Sequence, residues 1–132
     1  MNVIEKYAQQ LSELRLEENL FLPDGKQICP AEGTRKLIEY VTGMQTWFEH
    51  VNKMSIHQII CKNWLDDGVN ELQGVIIMDA FYKVKQGEAK VSAVQVLHAR
   101  ENKIVYMNSF WDLSKFKKLI AEHPELEKVF GS

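Results

Sequence analysis

Three segments in the second half of the chain decide the fold: Val69–Val84 (VNELQGVIIMDAFYKV), Ala89–His98 (AKVSAVQVLH) and Lys103–Asp112 (KIVYMNSFWD). Each runs apolar and polar side chains in alternation, the period of a strand with one buried face. The pieces between them, Gln86-Gly87 and Glu101-Asn102, are short and turn-forming, and Asp66-Asp67-Gly68 marks another turn ahead of the first. Hairpins therefore join the strands. The stretch from Ser55 to Leu65 is also β-like, which makes four successive strands. A sheet of this kind preceded by helical sequence predicts an α+β fold, a curved antiparallel sheet with helices on one face. Such a sheet can enclose a pocket.

Working outward, Ile4, Tyr7, Ala8, Leu11 and Leu14 follow helical spacing, so Val3 to Leu16 reads as a surface helix with one buried stripe. Leu20-Phe21-Leu22 is a short strand or extended piece stopped by Pro23-Asp24-Gly25, with a loop continuing through Pro30. A long helix follows through Leu37, Tyr40, Val41, Met44, Trp47 and Phe48, with Thr34 as its expected N-cap. At the far end Asp112 or Ser114 can cap a final helix through Phe116, Leu119 and Ile120. His123-Pro124 interrupts it, and Leu126, Val129 and Phe130 form a last apolar patch.

At 132 residues and 45% hydrophobic content the chain predicts a single domain over residues 1–132 with one core. A net charge of -2 with dispersed signs lacks the basic footprint of a nucleic-acid binder. The longest apolar runs, such as Val75-Ile76-Ile77-Met78, are far shorter than the about 20 residues of a membrane span. The N-terminus has no secretory pattern, so a cytoplasmic protein is expected. Cys29 and Cys61 stand far apart without a CxxC motif, predicting reduced thiols, with Cys61 a small buried residue. The four histidines show no metal-ligand spacing, and neither metal nor cofactor is expected.

Two stretches carry a resemblance: Pro30-Ala31-Glu32-Gly33-Thr34 followed by Leu37-Ile38-Glu39-Tyr40, and the closing strand Lys103 to Asp112. Together they resemble the nuclear transport factor 2-like superfamily, the fold of ketosteroid isomerases, SnoaL-like polyketide cyclases and limonene epoxide hydrolases. The resemblance implies a cone-shaped curved antiparallel sheet with helices packed on its concave face, a cystatin-like α+β barrel around a ligand-binding pocket. By the same resemblance Asp24 stands where the isomerases keep their general base, a role known from pKa-tuned sites. Val94 stands where they keep the oxyanion-hole Asp, and Asn108 and Ser109 near where the epoxide hydrolases keep Arg and acidic residues. The chain thus departs from both activities. Val3 to Leu16 also leaves room for about one helix, at about 1.5 Å per residue, where such folds usually place two.

Candidate site residues follow from parity. Val105, Met107, Ser109 and Trp111 share one face of the closing strand, and by resemblance that face looks into the cone; Trp111, Met107, Ser109 and Val94 are the expected ligand contacts, unless they merely fill a small core. Asp79 interrupts an apolar strand and shares a face with Ile77 and Phe81. If that face is buried, desolvation raises its pKa and suits proton transfer; if it faces out, Asp79 is a solvated strand residue. His57, on one face with Ile59 and Cys61, could exchange a proton with a ligand or with Asp79 across the sheet, or be an edge residue. Asp24 is a base by resemblance and a turn residue by local chemistry. His98 is expected at a rim or turn, and His50 on a helical surface. The implied function is a pocket for a small hydrophobic molecule, with acid/base isomerisation or cyclisation of a carbonyl substrate by His57, Asp79 or Asp24 set against a non-catalytic binding or interaction module. Tyr106, Asn108 and Phe110, with Met78 and Tyr82, predict an apolar outer face suited to a homodimer.

Overall fold

The computed structural model describes residues 1–130. The chain opens with helix α1 (Val3–Ser12), then a 3₁₀ turn (Glu18–Leu20), strands β1 (Phe21–Cys29) and β2 (Gly33–Lys36), helix α2 (Leu37–Trp47) and a second 3₁₀ turn (Phe48–His50). Four long strands follow, β3 (Val51–Asp66), β4 (Val69–Lys83), β5 (Glu88–Arg100) and β6 (Lys103–Phe110). Helix α3 (Leu113–Glu122), a third 3₁₀ turn (Pro124–Leu126) and α4 (Glu127–Phe130) close the chain. The six strands form one curved sheet in the order β2-β1-β6-β5-β4-β3, left open between its edges β2 and β3. It is an α+β fold.

Asn2 starts α1 by accepting from the Glu5 backbone N–H at 2.8 Å while Glu5 Oε1 accepts from the Asn2 N–H at 2.9 Å, a reciprocal cap. The helix ends at Ser12, short of the expected Leu16. Leu14 turns left-handed at φ 57° and the Arg15 N–H closes on the Gln10 carbonyl at 3.0 Å, satisfying a terminal carbonyl. The buried stripe Ile4, Tyr7, Ala8 and Leu11 lies on the sheet, where Gly74 gives it room: a Cβ on Gly74 would stand 2.8 Å from Ile4 Cδ1.

The two-residue turns are as expected. Asp67 and Gly68 (φ 50° and 77°) and Glu101 and Asn102 (φ 50° and 64°) hold the paired left-handed conformation of tight hairpins. The region before α2 differs. Pro23-Asp24-Gly25 is part of β1, which pairs parallel with β6, so the sheet is mixed rather than wholly antiparallel. Gly25 permits the crossing, since a Cβ there would meet Leu37 Cδ1 at 2.5 Å and the Val105 carbonyl oxygen at 2.6 Å. Thr34 lies in β2 opposite Ile28 and caps nothing; α2 begins after Lys36, whose N–H donates to Glu39 Oε1 at 3.1 Å.

Bulges alter the simple alternation of the strands. Ile56 pairs with Met78 and Gln58 with Ile77, leaving His57 as the extra residue in β3. In the same way Tyr106 faces His98 and Ile104 faces Ala99, leaving Val105 extra in β6. Ile104 thereby joins Met107 in the core instead of the outer face, and both are fully buried. Leu126 is buried as expected and Val129 packs on the core; the Phe130 side chain lies outside the described residues.

Candidate active site: a cavity with a neutral polar floor

Between the helices and the concave face lies a cavity of about 360 Å³. Even positions of β4 (Met78, Ala80, Tyr82) and odd positions of β5 (Val91, Ala93, Gln95) line it, as strand alternation requires. Ser109 and Trp111 reach it from the end of β6, and Tyr40, Met44 and Trp47 from α2. Asp112 accepts from the N–H groups of Ser114 and Lys115 at 2.9 and 3.2 Å, turning the chain into α3 so that Phe116 packs on Trp111, ring centroids 4.7 Å apart. The backbone N–H of Lys85 donates to Glu125 at 2.8 Å and fastens the C-terminal segment beside the cavity.

The polar groups gather at the floor. The Tyr7 hydroxyl lies 2.6 Å from that of Tyr40 and donates to Gln95 Oε1 at 2.7 Å; Gln95 Nε2 donates to Ser109 Oγ at 3.1 Å and to the Tyr40 oxygen at 3.5 Å. Burial drives both tyrosine pKa values up, Tyr7 well above its ordinary value, so both remain neutral phenols. At the wall, Trp47 Nε1 donates to the Tyr82 hydroxyl at 3.1 Å, and burial also raises the Tyr82 pKa. Arg35 of β2 donates from Nε to Gln27 Oε1 at 2.8 Å, pairs with Glu32, and lies 5.6 Å over the Tyr40 ring. His50, expected on a surface, lines the cavity.

The expected site residues divide. Ser109 and Trp111 line the cavity, while Met107 lies one layer below, its sulfur 3.9 Å from the Tyr7 hydroxyl. Val94 points outward, because its neighbour Gln95 takes the inward position. Met78 and Tyr82 face inward, not outward as the homodimer expectation had them.

Asp79 belongs to the outer face, on the parity opposite Met78 and Ala80. It accepts from Ser92 Oγ and meets His57 Nε2, both at 2.5 Å, and these hydrogen bonds, that from Ser92 first, lower its pKa where a desolvated proton carrier was expected to have it raised. The β3 bulge turns His57 to this side, away from Ile59 and Cys61. Asp24 is exposed on β1 and pairs with Lys36 at 3.4 Å, outside the cavity. None of these three residues lines the cavity. His98 lies within β5 rather than at a turn, bonded to Glu71 at 2.6 Å, and Cys61 is exposed. Among the described residues no cluster of three His, Cys, Asp or Glu side chains could hold a metal, and no helix is long and apolar enough to cross a membrane.

No family model matches the sequence, and no curated protein matches it. Solved structures do. TerC co-crystallised with polyporic acid superposes with a TM-score of 0.63 at 16% identity, covering 90% of this chain and 95% of that one. An NTF2-like protein of unknown function from Cytophaga hutchinsonii gives 0.62 at 16%, over 83% and 96% of the two chains. The chain has the nuclear transport factor 2-like fold. A candidate polyketide cyclase from Xanthomonas campestris shares it, at a TM-score of 0.60 and 8% identity over 86% and 90%. At such identities the likeness speaks for the fold alone. Within the nuclear transport factor 2-like frame, parity could have found Gln95, which pairs with Ser109 across β5 and β6. Tyr7 and Tyr40 had a weaker signal, a hydroxyl set within an apolar helical stripe and so in need of a buried partner.

Proposed function

We propose that this protein is a small-molecule pocket protein that takes up a largely apolar molecule between the helices and the concave sheet. The cavity carries this reading: about 360 Å³, walled by Met, Ala, Val and Trp side chains, with polar groups converging on one floor. That TerC was crystallised with polyporic acid supports a small organic guest in a similar frame. Binding without catalysis fits the floor better than acid/base isomerisation or cyclisation by His57, Asp79 or Asp24, since those three stand elsewhere, Tyr7, Tyr40, Gln95 and Ser109 offer neutral groups, and the ionisable lining residues His50, Glu32 and Lys128 make no hydrogen bond to that floor. The test is a thermal-shift screen of apolar carbonyl compounds against the wild type and Ala93→Phe. Ligands must raise the melting temperature of the wild type, and the blocked variant must lose that response. Equal responses in both would end the reading.

The chain is further inferred to form a homodimer through its outer face, where Ile77, Val94 and Val96 are only partly buried and Phe110 is 50% exposed. Sedimentation at micromolar concentration tests this, and a monomer refutes it. Two free thiols, one exposed, support a reducing, cytoplasmic setting.

A further inference from the structure

We propose that the guest carries a neutral carbonyl oxygen and that the Ser109 hydroxyl is the donor that holds it, an inference resting on the pocket reading above. A count of protons at the floor leads there. Gln95 Oε1 can only accept, so the single Tyr7 proton is committed to it at 2.7 Å. The 2.6 Å contact between Tyr7 and Tyr40 must then be made by the Tyr40 proton, with Tyr7 accepting. Gln95 Nε2 has two protons, directed at Ser109 Oγ and at the Tyr40 oxygen. Every proton of both tyrosines and of the amide is thereby used within the network. The Ser109 hydroxyl proton has no acceptor within it.

Ser109 is buried, yet it lines the cavity. A buried hydroxyl donor without a partner is costly, and a cavity guest able only to accept relieves it. A carbonyl does so and adds no proton of its own that would need a partner. A carboxylate guest would bring a charge onto a floor whose four members are all neutral; of the cations lining the cavity, Arg35 is already held by Gln27 and Glu32, and Lys128 makes no hydrogen bond to any of the four. The two phenols are therefore not an oxyanion-hole pair in this protein. They are positioning residues, fixing the Gln95 amide so that it approaches Ser109 as donor and leaves the serine proton for the guest.

The experiment uses two probes of nearly the same shape, 2-acetylnaphthalene and 2-isopropenylnaphthalene, titrated calorimetrically into the wild type, Ser109→Ala and Ser109→Thr. One hydrogen bond sets the scale: Ser109→Ala should weaken the ketone about three- to tenfold and the hydrocarbon less than about twofold, and Ser109→Thr should restore the ketone. An infrared spectrum of the bound ketone reads the same contact without a variant. Its carbonyl band in the wild type should lie below its position in alkane solvent. Equal losses for both probes, or a band at the alkane position, overturns the serine–carbonyl contact and leaves the pocket standing. Failure of the wild type to bind either probe overturns the pocket reading itself.

Discussion

On the cavity side of β4 to β6 the polar side chains are neutral and bond to one another, Gln95 and Ser109 with the two tyrosines. On the outer side of the same strands ionisable groups pair as well: Asp79 lies between Ser92 and His57, and Glu71 between His98 at 2.6 Å and Arg100 at 2.7 Å. Residues one step apart along a strand thus obey different electrostatics. A charge placed within the tyrosine, Gln95 and Ser109 network would lose its hydration with no ionised partner inside that network, so it is built of groups that need none. The outer carboxylates keep contact with water through partners such as His57 and Arg100, each about half exposed. Parity, more than composition, separates a cavity wall from a structural ion pair here.

Truncations on β6 test that contrast most sharply. Met107→Ala, at a fully buried position under the floor, should destabilise the fold by about 2–5 kcal/mol in a chemical denaturation. Asp79→Asn should come next, at about 1–2 kcal/mol, because it weakens charge-assisted bonds from Ser92 and His57. Its pH signature is distinctive. The folded-state pKa of Asp79 is lowered, so its contribution is complete above the unfolded carboxylate value of about 3.9 and fades as pH falls through the folded value. The wild type should lose this increment in acid, and the variant should lack that slope. Phe110→Ala, on the outer side of the strand that carries Met107, should change monomer stability by less than about 0.5 kcal/mol while weakening self-association in sedimentation. A large loss of fold stability there would erase the distinction between the two faces.

Much of the frame was legible. The strands from Ser55 to Asp112 and their tight turns follow from alternation and from Asp67-Gly68 and Glu101-Asn102, local signals that the tertiary structure leaves intact. β2 and β1 beyond Leu22 were not, because Lys26, Gln27, Arg35 and Lys36 show no strand alternation of hydrophobicity; Lys26 and Gln27 are strand because β6 offers β1 hydrogen bonds, and Arg35 and Lys36 because β1 in turn offers them to β2, a long-range cause that no local window contains. The cavity positions Ser109 and Trp111 could be read because β6 is regular beyond Val105. His57 could not, since a single extra residue turns it from the side of Ile59 to that of Asp79. Asp79 and Val94 depended on one unknown sign, which face of β4 and β5 the helices cover, and the buried Gln95 and Met78 reveal it.

The placement of the indoles gives the protein its own spectroscopic report. Trp47 and Trp111 line the cavity, whereas Trp64 stands near His98 on the outer face, ring centroids 5.8 Å apart. A guest that absorbs in the near ultraviolet should accept excitation from the two inner fluorophores at short range and leave the third as an internal standard.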